Sequence, residues 1–231
     1  MTWLVERPIA HRGLHRGTDV PENSLLAFEM AIREGYPVEL DIQFLADETP
    51  VVFHDNTLGR MTGRDEMVCR QTCAEIRSLR LCGTDQPIPL FDEVLQFVGG
   101  RVPLLIEVNN EAAVGRREAG VWGLLQAYAG EFAIHSLNPA TLEWFLINAP
   151  HVCRGQLCSS QGADILSLDI RSDPDFIAYD HHHLPNRWVE EERVKRNIPV
   201  IAWTIRTPEA YARVRPYAEN VIFEGFRISE P

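Results

Sequence analysis

The chain predicts an α/β barrel of mainly parallel strands. Short apolar runs alternate with helical patterns from one end to the other, as βα units do. The 231 residues suit one closed barrel, for which about 200–250 is usual. Residues able to do chemistry also fall just after the apolar runs, at the strand ends where barrel enzymes build their sites.

The elements follow in order. Pro8–Ala10 reads as the first strand, and a helix follows over Asn23–Glu34, with Asn23 and Ser24 able to cap it. Pro37–Ile42 and Pro50–Phe53 are strands separated only by Gln43–Thr49, too short for a helical crossover, so they predict a hairpin with one strand outside the ring. Residues from Asp55 to Gln86 have no clear period and carry three cysteines, which predicts a small insertion after the His54 strand within a single domain over 1–231. Helix Leu90–Phe97, strand Val102–Val108 and helix Ala112–Tyr128 come next. Strand Phe132–His135 leads into helix Pro139–Asn148, which Asn138-Pro139 starts. Strands Val152–Leu157 and Phe176–Tyr179 precede helix Trp188–Arg196. Strand Pro199–Thr204, helix Pro208–Arg215 with Thr207 as cap, and strand Val221–Phe223 complete the chain. The strands are apolar on both faces, as expected where helices cover the sheet.

Composition narrows the function. A formal net charge of -11 argues against a nucleic-acid partner held through phosphates. No apolar run reaches the roughly 18 residues of a membrane helix, and the opening MTWLVERPIAHRG has no secretory pattern, so a cytoplasmic enzyme is expected. The five cysteines are an odd number, against a disulfide framework. Cys69, Cys73 and Cys82 fall one ligand short of a structural zinc site and read as small thiols.

Four clusters carry the chemistry. His11-Arg12-Gly13 follows the first strand: the His is a candidate acid or base, the Arg an anion fork, and a surface His is the plain alternative. Glu39 and Asp41 are two residues apart, so a strand aims both carboxylates to one side. An edge strand with one face in water would show the same alternation. His54-Asp55 follows the third run. Glu107 sits among apolar neighbours, where a carboxylate must be paired or bind a metal. Three carboxylates at one end of successive strands suit a hard divalent cation. Two histidines beside it suit general acid and base roles, and cation plus Arg suits a phosphoryl centre. Metal-assisted cleavage of a phosphate ester is the chemistry this points to.

The stretches AHRG (Ala10–Gly13), PENSLLAFEMAIREG (Pro21–Gly35), VELDIQF (Val38–Phe44), PVVFHD (Pro50–Asp55), IEV (Ile106–Val108), HSL (His135–Leu137) and AWTI (Ala202–Ile205) resemble the glycerophosphodiester phosphodiesterase family. The resemblance implies a TIM (β/α)8 barrel that hydrolyses glycerophosphodiesters, such as glycerophosphocholine or glycerophosphoethanolamine, to an alcohol and glycerol 3-phosphate. It implies one Mg2+ or Ca2+ held by Glu39, Asp41 and Glu107, His11 and His54 as the acid/base pair, and Arg12 on the phosphate. Asn109 stands where the family usually has Lys, so it is expected at the substrate with one positive charge fewer. The closing strand usually ends in Thr-Asp, and here it runs Phe223-Glu224-Gly225. Trp203 either walls the pocket against the substrate or is a core residue. His181-His182-His183 reads as a solvated loop, or as one that lends a single His to the pocket mouth.

Two other readings compete. A lysophospholipase D would need an apolar lip, with Phe53, Leu58, Met61 and Met67 as candidates, yet no basic amphipathic stretch suggests membrane anchoring. A barrel that binds a phosphodiester without turning it over has the missing Lys in its favour.

Overall fold

The structure is a computed structural model and describes residues 2–110, 112–159 and 172–228. Its strands are β1 (Ile9–Ala10), β2 (Val38–Phe44), β3 (Pro50–Val52), β4 (Leu104–Val108), β5 (Phe132–Ser136), β6 (Arg154–Cys158), β7 (Phe176–Asp180), β8 (Val200–Ile205) and β9 (Asn220–Phe223). β1 is the closing stave: Ala10 pairs in parallel with Val38 of β2 and with Phe223 of β9. Around the ring the order is β1, β2, β4 to β9, all parallel, so eight strands make a closed barrel. β3 lies outside it, antiparallel to β2 (Ile42 opposite Val52), as the short Gln43–Thr49 connection requires.

The helices are α1 (Trp3–Glu6), α2 (Leu25–Glu34), α3 (Gly59–Thr62), α4 (Cys73–Ser78), α5 (Phe91–Val98), α6 (Arg116–Leu125), α7 (Pro139–Asn148), α8 (Arg187–Arg196) and α9 (Pro208–Val214). Ser24, Asn138 and Thr207 cap α2, α7 and α9 as their side chains allow: each accepts from a backbone N–H in the first turn. α6 is shorter than its periodicity suggests. Glu118, buried at its third position, accepts from Gly115 N at 2.7 Å, Asn110 Nδ2 at 2.7 Å and Thr141 Oγ1 at 2.9 Å, which fixes the start and ties α6 to α7.

All seven residues of β2 are buried, so the edge-strand alternative is excluded: its polar face looks into the barrel, not into water. Leu40 and Ile42 join the large core between strands and helices. A second apolar cluster fills the barrel itself, with Ile9, Leu105, Phe176 and Ile201 packed on Trp3 and Leu4. Those last two come from α1, too short to show a period in sequence, and they plug the end opposite the site.

Residues 55–86 fold as α3, α4 and short 3-10 turns over a third cluster that contains Phe53, Leu58, Met61, Val68 and Ile76. The apolar lip expected from Phe53, Leu58, Met61 and Met67 does not form: Val51 and Phe53 alternate with Val52 and face the insertion, whose core buries Phe53, Leu58 and Met61, while the half-buried Met67 lines a separate cleft with Gln43 and Asn109. The five cysteines are free; Cys69 is exposed, and among the described residues none joins a metal-ligating group.

Gly155 of β6 is required by packing. A Cβ there would lie 2.1 Å from the fully buried Phe176 ring. Gly155→Ala is expected to lower stability by about 1–3 kcal/mol through overpacking, read from the midpoint of urea unfolding; an unchanged midpoint would contradict this packing.

Candidate active site

At the C-terminal end of the ring, period-two alternation brings acids inward. Asp41 of β2 is in register with Glu107 of β4, and Glu107 with His135 of β5, so three adjacent strands contribute one polar layer. Glu39 sits one step below on the same face. Glu39, Asp41 and His135 are each 1% exposed. Above them opens a cavity of about 250 Å³ lined by His11, Arg12, Glu39, His54, Glu107, His135, Trp203 and several rim residues.

The turn after β1 delivers the first histidine. Arg12 takes a left-handed conformation (φ 53) and Gly13 follows at φ 80, with its Cα so close to α2 that a Cβ would stand 2.8 Å from the Ala27 backbone. This fold-back lets Arg12 N donate to Glu39 Oε2 at 2.9 Å, while Arg12 Nε lies 3.0 Å from Asp41 Oδ2. Asn23 Nδ2 donates to the same Asp41 oxygen at 2.7 Å.

A chain of alternating charges then runs to the second histidine. Arg12 donates to Glu22 at 2.7 Å, and Arg60 of α3 donates to both Glu22 oxygens at 2.7 and 2.9 Å. Arg60 also forks onto Asp55 at 2.6 and 3.0 Å, and Asp55 Oδ1 lies 2.6 Å from His54 Nδ1. The insertion thus supplies the cation that holds the His54-Asp55 pair. Burial alone would raise Glu22, but hydrogen bonds from Arg60 and the charge of Arg12 bring it down to about 2, so it stays ionised between them. On the other side of the mouth, Glu224 after β9 takes His11 Nδ1 on Oε2 and Arg206 Nε on Oε1 at 2.6 Å.

The expected residues divide as follows. His11, Arg12, Glu39, His54, Glu107 and Trp203 line one cavity. Asp41 is buried behind them, its Oδ2 taken by Asn23 and Arg12. Asn109 is elsewhere: it lines a separate cleft with Gln43, Asn56 and Arg117. Asn109 N donates to Ile42 O at 3.2 Å, which continues the β2–β4 ladder one residue past Val108 and sets Asn109 beside Gln43, beyond Glu107. Of the three consecutive histidines, His182 reaches the cavity beside Asp180, while His181 is buried and accepts from Arg213 at 2.7 Å. His135, Glu22, Arg60, Arg206 and Glu224 were not assigned roles from sequence. His135 lies in the HSL stretch, Glu22 in the Pro21–Gly35 stretch and Glu224 at the end of the closing strand; Arg60 and Arg206 carry no sequence signal.

The carboxylate layer fits a hard cation. Ligand atoms of Glu39, Glu107 and His135 lie within 4.8 Å of one another. Asp41 Oδ1 is buried with no hydrogen-bond partner, as are both ring nitrogens of His135. Glu39 is raised well above the ordinary carboxylate range by burial and then by the charges of Asp41 and Glu107; burial and Asp41 push Glu107 up to about 8. Carboxyls this close cannot all ionise unless a cation joins them, and oxygen donors are what Mg2+ and Ca2+ prefer. His135 is held neutral by burial, down to about 3.

The raised Glu107 makes a signed prediction. A carboxyl whose folded pKa exceeds its unfolded value contributes stability at low pH that is lost as pH rises through the folded value. In metal-free buffer, Glu107→Gln is therefore expected to gain on the wild type in thermal midpoint between pH 5 and 8, by at least about 2 °C. Saturating Mg2+ or Ca2+ should close the gap by stabilising the wild type. A difference that is the same at both pH values would contradict the buried, repelled carboxylate.

Comparison with known proteins identifies the family. The sequence profile of the glycerophosphoryl diester phosphodiesterase family matches residues 11–223. Human glycerophosphodiester phosphodiesterase 1 is 46% identical over 114 residues, 45% of this chain and 34% of that protein. The glycerophosphodiester phosphodiesterase of Caldanaerobacter subterraneus is 39% identical over 101 residues, 43% of this chain and 37% of that protein. The matched stretch thus spans well under two thirds of these relatives, and only 21% of the rat protein. The fold is shared with an Oleispira antarctica phosphodiesterase solved with its product sn-glycerol-3-phosphate: TM-score 0.80 and 23% identity, over 95% of this chain and 93% of that one. With seven of the eight ring strands, β2 and β4 to β9, inside the family match, the chain belongs to the glycerophosphoryl diester phosphodiesterase family.

Proposed function

We propose that this chain hydrolyses glycerophosphodiesters, with glycerophosphocholine or glycerophosphoethanolamine as representative substrates, to an alcohol and glycerol 3-phosphate. One observation carries the reading: His11 and His54 face one cavity whose floor is a buried layer of carboxylates. A divalent cation, Mg2+ or Ca2+, held by Glu39, Glu107 and the free oxygen of Asp41, would supply positive charge to the phosphoryl oxygens and so favour attack.

The protein's own groups do the rest. Glu224 and Asp55 each occupy the Nδ1 of one histidine, leaving its Nε2 for the reaction. One histidine takes the proton of the attacking oxygen, water or a neighbouring substrate hydroxyl. The other protonates the alcohol oxygen as its bond to phosphorus breaks. Arg12 lines the same wall and brings its guanidinium to the anion, its position set by Glu22 and Asp41. Trp203 contributes a flat wall for the glycerol or head group.

This reading is favoured over a lysophospholipase D, because Phe53, Leu58 and Met61 are buried in the insertion and Met67 lines a different cleft, so none of the four makes an apolar lip around the cavity. It is favoured over a silent binding barrel, because both histidines and the acids converge on one cavity and Asn109, the residue that argued for silence, lies outside it. Five free thiols suit a reducing compartment, so the cytoplasm is the location we propose. Among the described residues no helix is long and apolar enough to cross a membrane.

Turnover of glycerophosphocholine, followed by release of glycerol 3-phosphate, is expected with added Mg2+ or Ca2+ and lost on complete chelation. His11→Ala is expected to lower kcat by at least about 10²-fold. Full metal-dependent turnover by His11→Ala, or full activity in excess EDTA, would overturn the assignment.

A further inference from the structure

We propose that Glu224 is a positioning residue for His11: it fixes the ring with Nδ1 protonated and stabilises the imidazolium formed when Nε2 takes a proton. The proposal rests on the reading of His11 as acid or base given above. Its motive is a contact that only the fold makes: Glu224, just past the closing strand, meets Nδ1 of His11 across 213 residues.

Both oxygens of Glu224 are committed. Oε2 receives His11 Nδ1 and lies 3.1 Å from His15 Nε2, while Oε1 receives Arg206 Nε at 2.6 Å. The carboxylate is therefore clamped from three directions, with 16% of its side chain exposed. Burial would raise it, but the hydrogen bonds from His11 and His15 and the charge of Arg206 outweigh burial and hold it below the ordinary carboxylate range.

Its placement separates it from the reacting atoms. His11 lines the catalytic cavity; Glu224 does not, and instead lines the neighbouring cleft with Gly13, Leu14 and His15. Glu224 thus stands behind the ring and reaches the reacting atoms through it; its other tie to the cavity, Arg206, is at the rim. An imidazole whose Nδ1–H is held by a carboxylate presents a basic Nε2 to the other side, and the same carboxylate stabilises its protonated form. Closure of the barrel does not need this side chain. His11 N donates to Phe223 O at 2.9 Å and Glu224 N to Ile205 O at 3.0 Å, so the backbone ladder joins the strand ends by itself. Arg206, on the cavity rim, gains its anchor from the same carboxylate.

The isosteric Glu224→Gln variant tests this, together with 15N NMR of His11. The wild-type ring, neutral at pH 8, should show the Nδ1–H form, and Glu224→Gln should move it toward Nε2–H. With glycerophosphocholine and saturating Mg2+, Glu224→Gln should lower kcat by about 10- to 10³-fold and change KM by less than about threefold, the split expected when only the transition state loses support. In a His11→Ala background the same substitution should change the residual rate by less than about threefold, because its effect runs through His11. Wild-type kcat in Glu224→Gln, an additive loss in the double variant, or an Nε2–H ring in the wild type would each overturn the proposal. The tautomer is read without substrate. It decides the matter even if Glu224→Gln fails to fold, and it stays distinct from failure of the diesterase reading, which would show as a wild type inactive on every diester.

Discussion

A layer of buried carboxylates inside the barrel sets the terms for everything around it. Asp41, Glu107 and, one step below, Glu39 project into a closed ring, and among the described residues Arg12 is the guanidinium that meets the layer directly. Burying such groups without compensation costs several kcal/mol, so they must protonate, pair or share a cation. Arg12 answers part of this demand, and its left-handed turn exists to bring both its backbone N–H and its guanidinium to the acids. The Asp41 Oδ1 without a hydrogen-bond partner and the raised carboxyls of Glu39 and Glu107 mark the remainder, which a hard divalent ion would satisfy.

Organisation then spreads outward from Arg12. Glu22 and Arg60 extend the alternation of charge to Asp55 and His54, so an element of the insertion orders one of the two cavity histidines. Glu224 orders the other from the closing strand. The two histidines approach the cavity from the ends of β1 and β3, which both pair with β2, each with its Nδ1 committed to a carboxylate. That arrangement needs a rigid frame, and the barrel supplies one: an interior packed tightly enough that β6 must carry glycine opposite Phe176, and a plug of Trp3 and Leu4 at the far end.

Much of this was legible in sequence where the signal is local. Glu39 and Asp41 are two apart in an apolar run, and the period of a strand puts them on one face whatever the rest of the chain does. Glu107 stands out because its neighbours are apolar, and His11 and His54 because they follow strands directly. The hairpin of β2 and β3 follows from a connection too short for anything else. What escaped depends on pairs distant in sequence: Glu224 meets His11 across 213 residues, and Arg60 meets Glu22 across 38. Asn109 lines a different cleft from His11 and His54, which its spacing from Glu107 does not reveal. Phe53, Leu58 and Met61 were read as a lip because an apolar residue near a site looks the same in sequence whether it faces the pocket or a small core of its own. The acidic excess of the chain, at odds with an anionic substrate, is resolved locally: the acids nearest the phosphate are screened by Arg12 and by the cation they would hold.

The most direct measurement is calorimetric titration of the metal-free protein with Mg2+ or Ca2+ at pH 7, in two buffers of different ionisation enthalpy. One cation per chain is expected, bound with release of protons, because the carboxyls it joins are held partly protonated until it arrives. The absence of saturable binding, or binding that releases no protons, would contradict a shared ion in the carboxylate layer.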